Sequence, residues 1–323
     1  MKLPRRTFLH LAAGAAALPA VSRIAVAQSY PSRPVRIIVG FPAGLTPDIV
    51  ARLVGQRLSE RLGQQVVVEN RPGAGSNIGT EFVVRASPDG YTLLLATGSN
   101  AVSATLYEKL NFNFIRDIAP VASIGRSPFV LVINPSFSAK TVPEFIAYAK
   151  ANPGKINVAS AGSGTTPHLA GELFKIRASI DWAWVQYRAS LMPDLLAGHV
   201  QASFTPIPTS LEYIKTGKLH ALAVTGTTRI EVMPNIPALN EFVQGYEASG
   251  WYGVVAPAST SSEIIDRLRK DIDAAIADPN INARLIGLGV QPISLTSAEF
   301  GKFIADEIEK WGKVIRAANI KPE

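Results

Sequence analysis

Two turns in this sequence contain the residue types from which proteins build sites for anions. Residues 40–48, Gly-Phe-Pro-Ala-Gly-Leu-Thr-Pro-Asp, follow an apolar run at 35–39 and lead into helical spacing of apolar residues from 49 to 58. A helix N-terminus presents free backbone N–H groups and partial positive charge, so this turn can hold a carboxylate or phosphate without a cationic side chain. The same pattern also fits an ordinary strand-to-helix connection.

The second turn, residues 160–167, repeats this arrangement. It reads Ser-Ala-Gly-Ser-Gly-Thr-Thr-Pro, follows a strand-like run at 155–159, and precedes a helix predicted at 168–176. Neither turn contains Arg or Lys. We therefore expect backbone N–H groups and the hydroxyls of Ser99, Ser163 and Thr165 to meet an anion, with a ligand contact from His168 as one alternative and a structural bond within the turn as the other.

Ser163 and His168 also raise an enzymatic alternative, an exported hydrolase with both residues in its cleft. Ser163 stands between two glycines, but the Gly-x-Ser-x-Gly motif is absent because Thr165 follows Gly164. A histidine only five residues further along the chain would have to fold back onto the serine. We therefore predict a protein that is not an enzyme.

Metal and nucleotide sites are not indicated. After residue 27 the histidines are His168, His199 and His220, which include no closely spaced ligand pair. The glycines at 73, 75 and 79 miss the Gly-x-Gly-x-x-Gly spacing of dinucleotide sites, and no acidic residue stands at the end of the next strand. We predict no cofactor. Trp182 and Trp184 have the alternating spacing of one strand face, which favours the core.

Residues 1–27 resemble an export signal peptide. Lys2, Arg5 and Arg6 precede a short apolar run at 11–21 and a small-residue cleavage site, Ala-Val-Ala, at 25–27. The pair Arg5-Arg6 suggests twin-arginine export, and a general secretory signal is the alternative. We therefore expect a periplasmic protein, and the absence of cysteine excludes disulfides, thiol nucleophiles and cysteine metal sites.

The net charge also depends on this segment. Its cleavage removes four of the 32 Lys and Arg residues and none of the 25 acidic residues, so the charge falls from +7 to +3. The remaining basic residues are dispersed, which gives no support for nucleic-acid binding.

The elements that must position these turns alternate between strand-like and helix-like segments. This rhythm predicts parallel-rich sheets covered by helices. The last part of the chain, residues 250–323, has one predicted strand near 252–255 and two predicted helices. One strand cannot form a sheet of its own, so we expect this segment to complete the first lobe. The predicted division is 28–126 plus 250–323 for one domain and 127–249 for the other, with hinges near 125–128 and 225–250. Ligands of such sheets bind beyond the carboxyl ends of strands, here in the cleft between the lobes.

Six segments, in order, are similar to the Bug family of solute-binding proteins, the TctC-like extracytoplasmic receptors of tripartite tricarboxylate transporters. They are Pro-Val-Arg-Ile-Ile-Val at 34–39 with Phe-Pro-Ala-Gly at 41–44 and Asp48, Val-Glu-Asn-Arg-Pro-Gly-Ala-Gly at 68–75 with Ile-Gly at 78–79, Pro-Asp-Gly-Tyr-Thr-Leu at 88–93, Gly-Ser-Gly-Thr at 162–165 with His-Leu-Ala-Gly-Glu-Leu-Phe at 168–174, Asp-Leu-Leu-Ala-Gly-His-Val at 194–200, and Trp-Tyr-Gly at 251–253 with Ala-Pro-Ala at 256–258.

The resemblance implies a two-lobed Venus-flytrap fold of the type II periplasmic-binding-protein class. It implies a monomer that captures a small carboxylated metabolite between its lobes, catalyses no reaction, and works with membrane transporter subunits or as a sensor. The turn at 41–48, helped by Ser99 and Asn100, would supply one jaw and the turn at 163–168 the other. The residues expected to meet the ligand are Phe41, Ala43, Gly44, Leu45, Ser99, Asn100, Ser163, Gly164, Thr165, His168, Tyr187 and Thr205.

The sequence departs from the family pattern at two places. Leu45 stands where the family commonly has a second glycine, which would narrow the pocket or make it more apolar. Residues 187–194 are about two residues shorter than usual and lack a glycine after Arg188, which could meet a second carboxylate or lie solvated on the surface. We expect Asp48 to be structural, capping its own helix.

Overall fold

The computed structural model describes residues 30–322, apart from residues 108 and 188. The predicted export signal and Arg188 therefore lie outside the described residues. No helix in the part of the chain that is described has the length and apolar character needed to cross a membrane.

The described chain alternates strands and helices. Its strands are β1 (Val35–Val39), β2 (Val66–Asn70), β3 (Thr92–Thr97), β4 (Ile118–Ile133), β5 (Asn157–Ser160), β6 (Ala183–Gln186), β7 (Ala202–Pro206), β8 (His220–Val224), β9 (Ser249–Pro257) and β10 (Gln291–Pro292). Its α-helices are α1 (Thr46–Leu62), α2 (Asn77–Val84), α3 (Gly98–Leu106), α4 (Val142–Ala151), α5 (Thr166–Ala178), α6 (Met192–Ala197), α7 (Ile207–Lys215), α8 (Ser262–Ile276), α9 (Pro279–Gly287) and α10 (Ser297–Ala317).

The strands form the sheets of two lobes, which confirms the predicted two-lobed α/β fold. In the first lobe the order is β2-β1-β3-β9-β4, with β10 also paired to β4. In the second lobe the order is β4-β7-β5-β6, with β8 also paired to β4. The strand β4 is common to both sheets.

Parallel pairing is less extensive than predicted. It joins β1 to β2 and β3 in the first lobe, and β5 to β6 and β7 in the second. The strands β4 and β9 pair antiparallel with all their neighbours. Parallel neighbours need a helical crossover, whereas these two strands pass directly between the lobes without one, so the sheets are mixed.

The strand β4 is the main correction to the expected fold. The apolar run at 129–133 predicts a strand only there, but one strand of 16 residues runs from Ile118 to Ile133 and passes through the predicted hinge at 125–128. Its first part pairs with β9 as far as Pro128↔Ser249, and its last part pairs with β7 and β8. Pro120 and Pro128 hid this strand, because proline usually argues against a strand interior.

Two helices were also missed. The run Thr-Gly-Ser-Asn at 97–100 is typical of a turn and predicts one, yet Gly98 begins α3 and Thr97 is its N-cap. The helix α9 begins after Asp278, whose carboxylate accepts hydrogen bonds from the N–H groups of Asn280 and Ile281. Both starts carry a recognisable cap, so the signals were local and present in the sequence.

Three apolar clusters hold the lobes together. One lies between the first sheet and the helices α1 and α8, and another covers one face of the second sheet. The third is rich in aromatic residues and continues from one lobe to the other, including Phe174, Trp251 and Phe300. The predicted core placement of Trp182 is confirmed, since this side chain is 3 % exposed in that cluster.

The close packing of α10 on β9 gives a stability prediction. A Cβ at Gly253 would lie 2.8 Å from both the Ala122 carbonyl oxygen and Cε1 of Phe300, so Gly253→Ala should destabilise the fold by about 1–3 kcal/mol. Gly287→Ala is the matched control, because a Cβ there has no neighbour within 4 Å. Urea unfolding measures both, and an equal effect of the two substitutions would contradict the packing argument.

Candidate functional site

The carboxyl ends of the parallel strands bring the predicted site residues to common edges. The strands β1 and β3 are parallel neighbours, so the turn at 40–45 and the start of α3 lie at one edge of the first sheet. The strands β5, β6 and β7 are parallel in the second sheet, so the turn at 161–165, Tyr187 and Thr205 share an edge there. The two edges meet where α3 contacts α5.

Asp48 holds the first turn in place. Its Oδ2 accepts a hydrogen bond from the N–H of Gly44 at 2.9 Å, and its Oδ1 accepts one from Nδ2 of Asn70 at 2.9 Å. Arg52 donates to Oδ2 at 3.1 Å, and Asn70 also donates to the carbonyl of Phe41 at 3.0 Å. Hydrogen bonds from side chains of the first lobe therefore fix the shape of this turn.

The electrostatics of Asp48 agree with this bracing role. Burial opposes ionisation, but hydrogen bonds from Arg52, Gly44 and Asn70 outweigh it, so the pKa of Asp48 lies below its ordinary value. The predicted capping role is wrong in detail, because the helix N-cap is Leu45 and no side chain caps it. The carboxylate instead accepts from Gly44, which lies outside the helix.

The other residues of this turn differ in exposure. Phe41 is half-buried against the core of the first lobe, whereas Ala43 is exposed. Leu45 is 50 % exposed, which is unusual for a leucine and places an apolar side chain on the rim of the turn.

The start of α3 contributes the neighbouring N–H groups. The N–H of Ser99 donates to Oγ1 of Thr97 at 3.3 Å, and Oδ1 of Asn100 accepts from the N–H of Thr97 at 2.8 Å. Asn100 also donates to Oγ1 of Thr80 at 2.8 Å and is 2 % exposed. The side chain of Asn100 thus builds the turn from within the lobe.

The second turn folds on two left-handed glycines. Gly162 has φ 135° and Gly164 has φ 73°, conformations that side chains rarely adopt. Thr165 Oγ1 donates to the carbonyl of Gly162 at 2.9 Å, and Pro167 occupies the first turn of α5. A Cβ at Gly164 would lie 2.7 Å from Cδ2 of Leu106 at the end of α3, so the two lobes approach closely here.

His168 is a buried member of the second turn. Its Nδ1 accepts a hydrogen bond from the N–H of Gly164 at 3.2 Å, and its ring lies 4.5 Å from that of Trp184 between centroids. A peptide N–H can only donate, so the lone pair of Nδ1 accepts this bond and ties the ring to the turn.

Tyr187 and Thr205 make their hydrogen bonds within the second lobe. The phenol of Tyr187 donates to Oδ2 of Asp194 at 2.6 Å, and burial together with that carboxylate raises the pKa of Tyr187 to about 12. Thr205 is 2 % exposed, and its Oγ1 shares a hydrogen bond with Oγ of Ser210 at 3.0 Å.

Three residues at this junction, Gly98, Thr166 and Trp251, were not among the predicted site residues. A Cβ at Gly98 would lie 3.6 Å from Oγ1 of Thr166 and 3.6 Å from Nε1 of Trp251. Gly98 is the first residue of α3 and Thr166 the first of α5, so helix N-termini from both lobes meet at this point. The Thr-x-x-Asn capping pattern at 97–100 was the sequence signal that could have identified the first of them.

The described residues contain no group of three or more His, Asp or Glu side chains that could hold a metal ion. Two lobes joined by paired strands, with a helix N-terminus from each lobe at their junction, define the class of two-lobed solute-binding proteins.

Comparison with known proteins identifies the family. Residues 50–320 match the model of the TctC family, which is described as tripartite tricarboxylate transporter family receptor. The protein BugT of Bordetella pertussis is 37 % identical over 302 residues, which cover 91 % of this chain and 92 % of BugT. The chain belongs to the TctC, or Bug, family.

Two solved structures with bound ligands are similar over their whole length. A Rhodopseudomonas palustris protein, Rpa4515, solved with adipate, is 31 % identical with a TM-score of 0.78, and the match covers 91 % of this chain and 100 % of that one. MatC of the same organism, solved with bound malate, is 27 % identical with a TM-score of 0.73, and the match covers 88 % and 100 %.

The bracing role of Asp48 can be tested. Asp48→Ala leaves the N–H of Gly44 and the amide of Asn70 without their acceptor, so it should destabilise the protein by about 1–3 kcal/mol at pH 7. The pKa of Asp48 is lower in the folded protein than in the unfolded chain, where it is about 4. The ionised carboxylate therefore stabilises the fold fully at pH values above about 4, and this stabilisation is lost as the pH falls through the pKa of the folded protein. Urea unfolding as a function of pH measures both effects.

Asp306→Ala is the control, because Asp306 and its partner Lys302 are both mainly exposed. A difference between wild type and Asp48→Ala that persists unchanged well below pH 3 would contradict the assignment.

Proposed function

We propose that this protein is a periplasmic receptor that captures a small carboxylated metabolite between its two lobes. Its closed form would present the ligand to membrane transporter subunits or report it to a sensor. The protein would act as a monomer, without a cofactor, and would carry out no reaction on the ligand.

The observation that carries this proposal is the meeting of two helix N-termini from different lobes. Gly98 at the start of α3 and Thr166 at the start of α5 lie together, and residues 97–100 and 160–168 contain no Arg or Lys. Each hydrogen bond to a carboxylate contributes roughly 1.5–3 kcal/mol, with the larger values where water is excluded. A ligand that bridges both N-termini would therefore favour the closed arrangement of the lobes.

The internal bracing of each turn supports the same proposal. Asp48 and Asn70 hold the first turn, and Thr165 and His168 hold the second, through hydrogen bonds within their own lobes. A site whose loops are held before the ligand arrives loses less conformational entropy on binding.

The paired strands supply the hinge in this proposal. We place it at residues 126–128 of β4 and 249–251 of β9, between a first domain of 28–126 plus 250–323 and a second of 127–249. The pairing Pro128↔Ser249 is the last between β4 and β9. Flexing there would rotate one sheet against the other while leaving each sheet intact.

The hydrolase alternative is disfavoured by the sequence, because the Gly-x-Ser-x-Gly motif is absent around Ser163. The adipate and malate bound to the two relatives support a linear dicarboxylate as the ligand. The exposed side chain of Leu45 would give the rim of the pocket an apolar contact for the chain of such a ligand.

The export signal predicted at residues 1–27 supports the periplasmic location. Replacing Arg5 and Arg6 by lysine should block export if the route is twin-arginine dependent, because that route reads the arginine pair. Cell fractionation measures this, and unchanged export would instead indicate the general secretory route.

The second turn provides the direct test of binding. Ser163→Ala should weaken carboxylate binding by about 1–3 kcal/mol, because it removes a hydroxyl at the proposed anion site. Thr165→Ala should weaken binding to a similar extent, because Oγ1 of Thr165 holds the turn through its bond to the carbonyl of Gly162. A thermal-shift screen of linear mono- and dicarboxylates selects the ligand, and calorimetry measures its affinity for each variant.

Thr216→Ala is the matched control, because the hydroxyl of Thr216 also donates to a backbone carbonyl, that of Glu212, at 2.7 Å, but at the far end of α7. Wild-type affinity in both Ser163→Ala and Thr165→Ala would remove the second turn from the site. Turnover of the ligand by the wild-type protein would overturn the receptor proposal.

A further inference from the structure

Two buried indole N–H groups in the described part of the chain have no hydrogen-bond partner, those of Trp182 and Trp251. Trp182 is 3 % exposed and Trp251 is 2 % exposed. A buried N–H group without an acceptor loses its hydrogen bonds to water and gains none in the protein, which destabilises the fold, so each such group calls for an explanation.

The two indoles lie in different surroundings. Trp182 is inside the aromatic core of the second lobe, with the rings of Phe145, Phe174 and Phe204 around it. Trp251 is on β9, opposite Arg126 of β4, where the strands pass between the lobes. Only the environment of Trp251 connects with the proposed site.

The orientation of Trp251 is fixed by packing. Its ring lies edge-to-face against Phe300 and Phe303 of α10, with centroid distances of 5.8 and 5.6 Å. The pyrrole edge, Nε1 and Cδ1, faces the start of α3, since a Cβ at Gly98 would lie 3.6 and 3.7 Å from these two atoms. The indole N–H is therefore directed at a helix N-terminus.

Three segments converge on this point. Gly98 on α3 and Trp251 on β9 belong to the first lobe, and Thr166 on α5 belongs to the second. Oγ1 of Thr166 and Nε1 of Trp251 are equally distant, 3.6 Å, from the position that a Cβ of Gly98 would occupy. These donors belong to neutral groups, and the two helix N-termini add partial positive charge.

We propose that Nε1 of Trp251 donates a hydrogen bond to a carboxylate oxygen of the ligand at the floor of the cleft, and that Gly98 lacks a side chain so that this oxygen can approach. The inference rests on the proposed receptor function and deepens it. It assigns a third donor, which belongs to β9 and to neither of the two turns.

The proposal also gives a reason for the unpaired N–H of Trp251 in the protein without ligand. An indole N–H that is unpaired before binding gains its partner only from the ligand, so the bond adds its full strength to the affinity. Because the indole packs against Phe300 and Phe303 of α10, the bond would favour ligands whose carboxylate reaches the floor of the cleft.

Trp251→Phe tests the donor. It keeps an aromatic ring against Phe300 and Phe303 and removes the N–H, so it should weaken binding by about tenfold or more. Trp182→Phe is the matched control, because it removes the same atoms from an equally buried indole whose N–H is also unpaired. It should leave the affinity unchanged. The probe is the linear carboxylate, adipate and malate included, that stabilises the wild-type protein most in a thermal-shift screen.

Gly98→Ala tests the space. A Cβ at this position makes only ordinary contacts, and the backbone of Gly98 is not left-handed, so the melting temperature of the free protein should not fall. The methyl group would occupy the approach of the carboxylate oxygen and should weaken binding by about tenfold or more. Unchanged stability together with weaker binding separates this effect from damage to the fold.

An NMR measurement separates direct contact from packing. The chain has four tryptophans, so four indole N–H signals are expected, and Trp251→Phe identifies the relevant one by its loss. On addition of the probe that signal should shift downfield, while the signal of Trp182 stays in place.

Each outcome decides between the proposals. Wild-type affinity in Trp251→Phe, or equal weakening by Trp182→Phe, overturns this inference and leaves the receptor function standing. A wild-type protein that binds none of the carboxylates overturns the receptor function, and the inference falls with it.

Discussion

The antiparallel pairing of β4 with β9 is the constraint on which the rest of the molecule depends. It runs from Ile118↔Pro257 to Pro128↔Ser249, and β4 then continues into the second sheet. A single ladder of hydrogen bonds therefore belongs to the first lobe and leads into the second. This ladder connects the two sheets, and it places Trp251 where their edges meet.

The two turns at that junction are held in shape by side chains of their own lobes. The carboxylate of Asp48 and the ring of His168 each accept from a glycine N–H in the turn, which fixes the loop in shape. The turns carry no Arg or Lys, so a carboxylate would be met by dipoles. Such a site avoids burying a cationic side chain when it is empty, since burying an unpaired charge is costly.

Much of the site could be predicted from residues close in sequence. The left-handed glycines at 162 and 164 and the Pro-started helix after them are set by local chemistry, and the structure has both turns at strand ends. The start of α3 was missed although its cap is local. The strand β4 was missed because two prolines break its pattern, and only pairing with β9 across some 130 residues stabilises it as one strand.

The sequence by itself determined the class of fold, the two turns proposed to hold an anion and the family, because turn chemistry and hydrophobic period act over a few residues. The tertiary structure alone decided which groups meet. Gly98, Thr166 and Trp251 come together because β9 is inserted between β3 and β4 and α3 contacts α5. That neighbourhood depends on strand order, a long-range property that no local pattern of residues specifies.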